Sequence, residues 1–481
     1  MHILTIATLE KHWTVDPIEA EAHLFPFISL HYQTLVRKNH STDLLTSDLA
    51  FEWRCSPDGR RWTFLLDVRR FHDGTIVLAS HVAASIARHV WPKSHSIFSA
   101  CLRTFVEGAS TCLEGEIPSG LQPDDINGEI SITLSKPYCP FLEILAHPAL
   151  GVTHFSHDDQ LVGSGPMSRV TTHSQSKNIT FERCIDYQGV RTVPPIIKLT
   201  CFSRYLDLER EIDQGKIDVA LVERKHQLRL ASMPQLSSTP LKDIWVGMLI
   251  LNGAGCFNQL ALRRDFYGMA QTLAKDEFGA NFSANILPDF MLAPPKAIDE
   301  VSITPVEFCN RWRGYFSQRP VRVLYAPGRG PLTRILDRVL SVLQKHEVAH
   351  SIIETHGPAD VYGLVALGDF DIVVRGWLQD YDDPDEYFGA FEKQGPSPEA
   401  TDHYDRFFAK IRDAKHLADS NTRLATYIAA LRILEEEYLF IPVCDDNNRL
   451  IHDAALKFSP LSRDPFDLDD ANPGMTSIKS G

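Results

Sequence analysis

Between residues 370 and 386 the chain gathers an arginine, an indole and a group of carboxylates. Residues 370–374 form a largely apolar run that leads into Arg375, Gly376 and Trp377. Asp380, Asp382, Asp383, Asp385 and Glu386 then follow around Pro384. A buried strand that ends in an indole and a carboxylate suits a pocket that must grip a polar organic solute. Five carboxylates so close together could instead hold calcium, but the EF-hand spacing and its central glycine are absent. The same composition also fits an acidic turn that is simply solvated.

Other constellations carry chemistry on paper. His346-Glu347-Val348-Ala349-His350 matches HExxH, in which two imidazoles one helical turn apart bind zinc and the glutamate acts as general base. Here the amphipathic pattern ends at Lys345 and residues 348–354 read as a strand, where positions four apart are separated by about 13 Å. A helix-to-strand turn is the expectation, with a zinc hydrolase as the competing reading. His154-Phe155-Ser156-His157-Asp158-Asp159 could hold a metal through two imidazoles and a carboxylate, or form a polar loop. Gly328-Arg329-Gly330 lies between a strand and a helix, where an anion could bind. It lacks the full dinucleotide and phosphate-loop patterns, so a plain loop is expected. There is no GxSxG elbow and no Cys-His signature. No catalytic residue, metal or cofactor is assigned, and a binding protein rather than an enzyme is expected.

The elements that must position these residues read as several α/β lobes. Residues 3–8 form a first strand. Ser56-Pro57-Asp58-Gly59 turns a hairpin within residues 53–71, and residues 82–90 read as a helix. Strands are expected at 130–134, 179–182, 196–202 and 219–222, with a helix at 207–214. From about Trp245 the pattern turns helical, with one helix over 260–274. Residues 321–354 read as a β-α-β unit whose helix presents Leu332, Ile335, Leu336, Val339, Leu340 and Leu343 on one face. Residues 422–438 form a helix and 439–443 a strand.

With 481 residues the chain is long enough for two or three domains. A net charge of −14 argues against nucleic acid, which requires a basic face. The nine cysteines have no CxxC pair, so buried free thiols and a reducing compartment are the simplest reading. The first residues lack a basic region followed by a long apolar one, so no secretory signal is read there. No apolar run reaches the roughly 18 residues needed to span a membrane.

Five segments occur in a fixed order: Trp53…Ser56…Asp58-Gly59…Trp62-Thr63-Phe64 with Phe71-His72-Asp73-Gly74; Gly163-Ser164-Gly165-Pro166; Asp186-Tyr187; Gly215-Lys216-Ile217-Asp218-Val219-Ala220; and Gly368-Asp369-Phe370-Asp371…Trp377…Asp382-Asp383-Pro384. Together they resemble the bacterial extracellular solute-binding proteins that serve oligopeptide, dipeptide and nickel ABC importers. Asp67 stands where that family has an arginine, and Ala79-Ser80-His81-Val82 replaces its AEDV stretch.

The resemblance implies a two-lobed α/β fold of the periplasmic-binding-protein kind with an inserted subdomain. Lobe I would comprise residues 1–15, 157–245 and 446–481, the subdomain 16–156, and lobe II 246–445. It further implies a short peptide or similar polar solute captured as the lobes close, with Asp380, Trp377 and Arg375 as ligand contacts. Asp380 would pair with an α-ammonium group. The implied partners are ABC-importer permease subunits, the state monomeric and the location periplasmic. A cytoplasmic ligand sensor of the same fold is the alternative.

Overall fold

The structure is a computed structural model. It describes residues 3–9, 14–20, 24–39, 44–170, 178–189, 191–222, 224–279, 282, 301–325, 331–355, 361, 363–365, 367–378, 383, 385–386, 402–417, 419–458 and 475–477. The chain divides into two compact units, residues 1–242 with 448–481 and residues 243–447.

The first unit is built on strand Ile3–Thr8. It runs parallel to Ile196–Cys201 on one side, with Ile3 opposite Ile196, and to Val219–Leu221 on the other, with Ile6 opposite Val219. Antiparallel strands Asn178–Arg183 and Met167–Val170 extend the sheet beyond Ile196–Cys201. Leu4 and Ile6 pack with Phe181, Ile197, Leu199 and Val219 on one face, while Ala7 and Ala220 pack with Leu208 and Ile212 on the other. A parallel core needs both faces covered, and this alternation supplies two apolar faces. Asp218 fastens the centre: Thr5 N donates to its carboxylate at 2.7 Å, and Asp218 N donates to Thr5 O at 2.9 Å.

A separate antiparallel sheet lies within this unit, in the order Ala50–Cys55, Arg61–Leu66, Glu129–Thr133, Leu121–Asp124. The hairpin expected from the Ser56–Gly59 turn is present, with Cys55 opposite Trp62. Gly59 sits at φ +69°, a left-handed conformation that glycine adopts without steric cost. Helix Ala79–Val90 buries Val82, Ala83, Ile86 and Val90.

In the second unit the expected β-α-β element is present. Val321–Tyr325 and His350–Glu354 are parallel, Val321 opposite His350, joined through helix Pro331–Lys345. Ile335, Leu336, Val339 and Leu343 of that helix are buried. Strand Ile372–Leu378 lies parallel to Val321–Tyr325 and antiparallel to Leu236–Leu251. Helix Pro305–Gln318 starts with a capping box between Thr304 and Glu307 and proline in its first turn, a combination that satisfies free N–H groups.

Two expectations require correction. The helical pattern expected from Trp245 is a strand, Leu236–Leu251, and the helix begins only at Leu260. Val246 and Met248–Leu251 are all buried, and a continuous apolar run of that length serves a strand covered on both faces. The strand expected to end at Val374 continues to Leu378, so Arg375 lies within the sheet rather than beyond it.

Candidate ligand-binding site

Strand Ile372–Leu378 carries two of the three expected ligand contacts. Arg375 is buried, 5% exposed, and stands opposite Met248. Trp377 follows two residues later, its backbone opposite Val246. Its side chain, and Asp380 altogether, lie outside the described residues, as does Gly328-Arg329-Gly330.

The start of this strand is held by Asp371. Its carboxylate is 2% exposed and accepts from Cys256 N at 2.9 Å, Arg322 N at 2.8 Å and Arg322 Nε at 3.1 Å. Asn252 Nδ2 donates to Gly368 O and Phe370 O at 3.0 and 2.8 Å. Gly255 is required at this point, because a Cβ there would lie 2.0 Å from Asp371 Oδ1. Burial, together with the neighbouring Asp371 carboxylate, pushes the Cys256 thiol well up, so that sulfur stays protonated and inert. Asp371 therefore ties the start of this strand to Val321–Tyr325 and to the segment that follows Leu236–Leu251.

The acidic turn divides in two. Asp382 falls outside the described residues, but Asp383 and Asp385 are each 3% exposed, which corrects the expectation of a wholly solvated turn. Arg423 Nη1 pairs with Asp383 Oδ2 at 2.6 Å, and Asp385 N donates to Asp383 Oδ1 at 2.9 Å. Lys415 Nζ lies 3.5 Å from Asp385 Oδ1, and Tyr427 Oη donates to the same oxygen at 3.3 Å. Burial raises Asp383 to about 6 despite the opposing pull of Arg423. Helices Asp402–Lys415 and Ser420–Glu437 thus hold the far end of the acidic segment. The sequence reading missed these partners, although Arg423 and Tyr427, four residues apart on one helix, share a face.

The histidine motifs resolve as structure. Helix Pro331–Lys345 ends before His346, Glu347 turns at φ +55°, and His350 opens the next strand with its Nδ1 donating to Val348 O at 2.8 Å. The helix-to-strand turn is present, and the helical spacing that HExxH chemistry requires is not. His154 packs against Phe71 and His81, with ring centroids at 5.1 and 5.0 Å, and its Nε2 lies 3.7 Å from Asp73. Among the described residues no group of three or more His, Cys, Asp or Glu side chains is placed to hold a metal ion. The nine cysteines are unbridged.

Comparison with known proteins gives a consistent result. Residues 45–265 match the model described as bacterial extracellular solute-binding proteins, family 5 middle. The probable D,D-dipeptide-binding periplasmic protein DdpA of Escherichia coli is 22% identical over 91% of this chain and 87% of its own length. HbpA2 of Haemophilus parasuis shares the fold at a TM-score of 0.79, with 16% identity over 99% of this chain and 100% of that one. The periplasmic binding protein DppA of Helicobacter pylori, solved with the peptide STSA, does so at a TM-score of 0.71, with 17% identity over 97% of both chains. These neighbours are two-lobed periplasmic binding proteins, and the mixed α/β architecture is theirs. Motif order, family model, curated relatives and fold all indicate the family 5 bacterial extracellular solute-binding proteins, with the family model matching residues 45–265.

Proposed function

We propose that this protein is the solute-binding receptor of an ABC importer, capturing a short peptide or similar polar solute between two closing lobes. The observation that carries this reading is the similarity to a D,D-dipeptide-binding protein along nearly the whole chain, on a fold shared with a peptide-bound neighbour. The lobes would divide as the resemblance implies, with residues 16–156 a subdomain of the first. Asp380 would take the α-ammonium group, because a carboxylate in a water-poor cleft makes a charge-assisted bond stronger than a neutral one. Trp377 would supply apolar area, and Arg375 would be the third ligand contact. The receptor would work as a monomer and hand its cargo to membrane permease subunits, with no catalytic step.

A thermal-shift screen with L,L- and D,D-dipeptides and tripeptides tests this. At 100 times its Kd, a ligand stabilises the native state by about 2.7 kcal/mol. Asp380→Asn should weaken any peptide hit at least about tenfold, in line with the strength of a charge-assisted bond. Unchanged affinity would remove Asp380 from the site, and a flat screen across all peptides would set aside the peptide class.

The compartment is proposed to be the periplasm, as for the named relatives. Nine unbridged thiols favour the second reading, a cytoplasmic sensor on the same fold. Cell fractionation of the native protein decides between the two. Among the described residues no helix is long and apolar enough to cross a membrane.

A further inference from the structure

The first unit contains a joint where the chain returns from the four-stranded sheet to the large one, and two histidines hold it. His31 ends helix Phe25–His31, and its Nδ1 donates to Met167 O at 3.1 Å. His72 lies in the turn after the hairpin, and its Nε2 donates to Gly165 O at 2.9 Å. The two rings are 4.9 Å apart between centroids. Backbone bonds tighten the same contact: His72 N donates to Gly163 O at 2.8 Å and Gly165 N to His31 O at 2.9 Å. There is no slack, since a Cβ on Gly163 would lie 1.9 Å from His31 O and one on Gly165 2.5 Å from Leu30 O.

We propose that His31 and His72 form a proton-operated latch on residues 163–170, closed when both imidazoles are neutral and loosened when acid charges them. The carbonyl acceptors fix one N–H on each ring, so an incoming proton must go to the opposite nitrogen. For His72 that nitrogen is Nδ1, which is buried and has no hydrogen-bond partner among the described residues.

Among the charged groups facing the pair, Asp73 pulls His72 toward its charged form, but the burial of the ring outweighs it. Asp73 accepts from Thr75 N at 2.9 Å and turns its other oxygen toward His154. Asp16, which faces Tyr32, is paired with Arg88 at 2.5 Å. Arg169, on the return strand itself, adds a like charge near His31. The remaining ring neighbours are Tyr32 and Phe181, at 4.6 and 6.1 Å from His31.

Burial first, then His72 and Arg169, hold His31 down to about 3, and burial lowers His72 as well. With folded values below the unfolded 6.5, the stabilisation is complete above that pH and is lost as pH falls. The loss is concentrated where the two rings touch the chain, at residues 163–170.

Hydrogen exchange of the full-length protein, with rates corrected for intrinsic pH effects, tests the latch. Between about pH 7.5 and about pH 5, amides of residues 163–170 should lose about tenfold in protection, against less than about twofold in strand Glu129–Thr133. The double variant His31→Asn, His72→Gln keeps an N–H donor at each bonded position but cannot take a proton. It should show the same protection at both pH values. A variant that keeps the wild-type response, or a wild-type segment that does not loosen, overturns the latch. If the variant does not fold, histidine C2-proton exchange on the wild type decides: both imidazoles titrating well below the free value supports the proposal, and His72 titrating as a free histidine overturns it.

Discussion

Asp371 shows how one buried carboxylate can fix a local structure. Three donors converge on it, from the backbone of Cys256 and from the backbone and side chain of Arg322. Asp371→Ala should cost about 3 kcal/mol, because it strands a buried N–H and uncouples a guanidinium. Asp369→Ala, which removes the half-exposed partner of the same arginine, should cost no more than about 1 kcal/mol. Urea denaturation midpoints compare the two, and equal losses would deny Asp371 its special place. Gly255→Ala should behave like the first variant, since the added methyl carbon would occupy the space of a carboxylate oxygen. The acids of this region were legible in the sequence but their work was not. The donors lie 115 and 49 positions away, and nothing local indicates that they converge on Asp371.

Local pattern served better for elements whose own residues decide their fate. Helix Pro331–Lys345 has a regular apolar face, and that face is buried in the structure. Strand Leu236–Leu251 was missed because its first half, Ser237-Ser238-Thr239-Pro240, has the composition of a turn and is held extended by tertiary partners. The turn after helix Pro331–Lys345 gives a direct test of element energetics. Glu347 occupies a left-handed conformation that costs a residue with a Cβ about 1–2 kcal/mol. Glu347→Gly should recover part of this, raising the unfolding midpoint by a few degrees on the order of 2–4 °C. A lowered midpoint would mean that the glutamate side chain contributes more than its backbone costs.

At the scale of the whole molecule, buried histidines in the first unit and buried carboxylates in the second should respond to acid in opposite directions. In the first, burial holds His31 and His89 down to about 3 and lowers His72 and His81. Their contribution is complete above 6.5 and lost as pH falls. In the second, burial raises Asp383 to about 6 and Glu435 to about 7. An acid whose folded value lies above its unfolded one stabilises below the unfolded value and loses that contribution as pH rises through the folded one. Acidification from about pH 7.5 to about pH 5 should therefore weaken protection beside these histidines, most at residues 163–170, and strengthen it beside Asp383 and Glu435. Exchange that weakens equally in both would refute the carboxylate half of this prediction.

The placement of the second unit between two passes of the chain also sets an order of assembly during synthesis. Strand Val219–Leu221 pairs with Ile451 and His452, residues made only after all of 243–447. On the ribosome, the later-starting unit is thus the first whose residues are all available. The earlier one must wait with an open sheet edge, a surface prone to wrong pairing, until some 230 further residues have emerged.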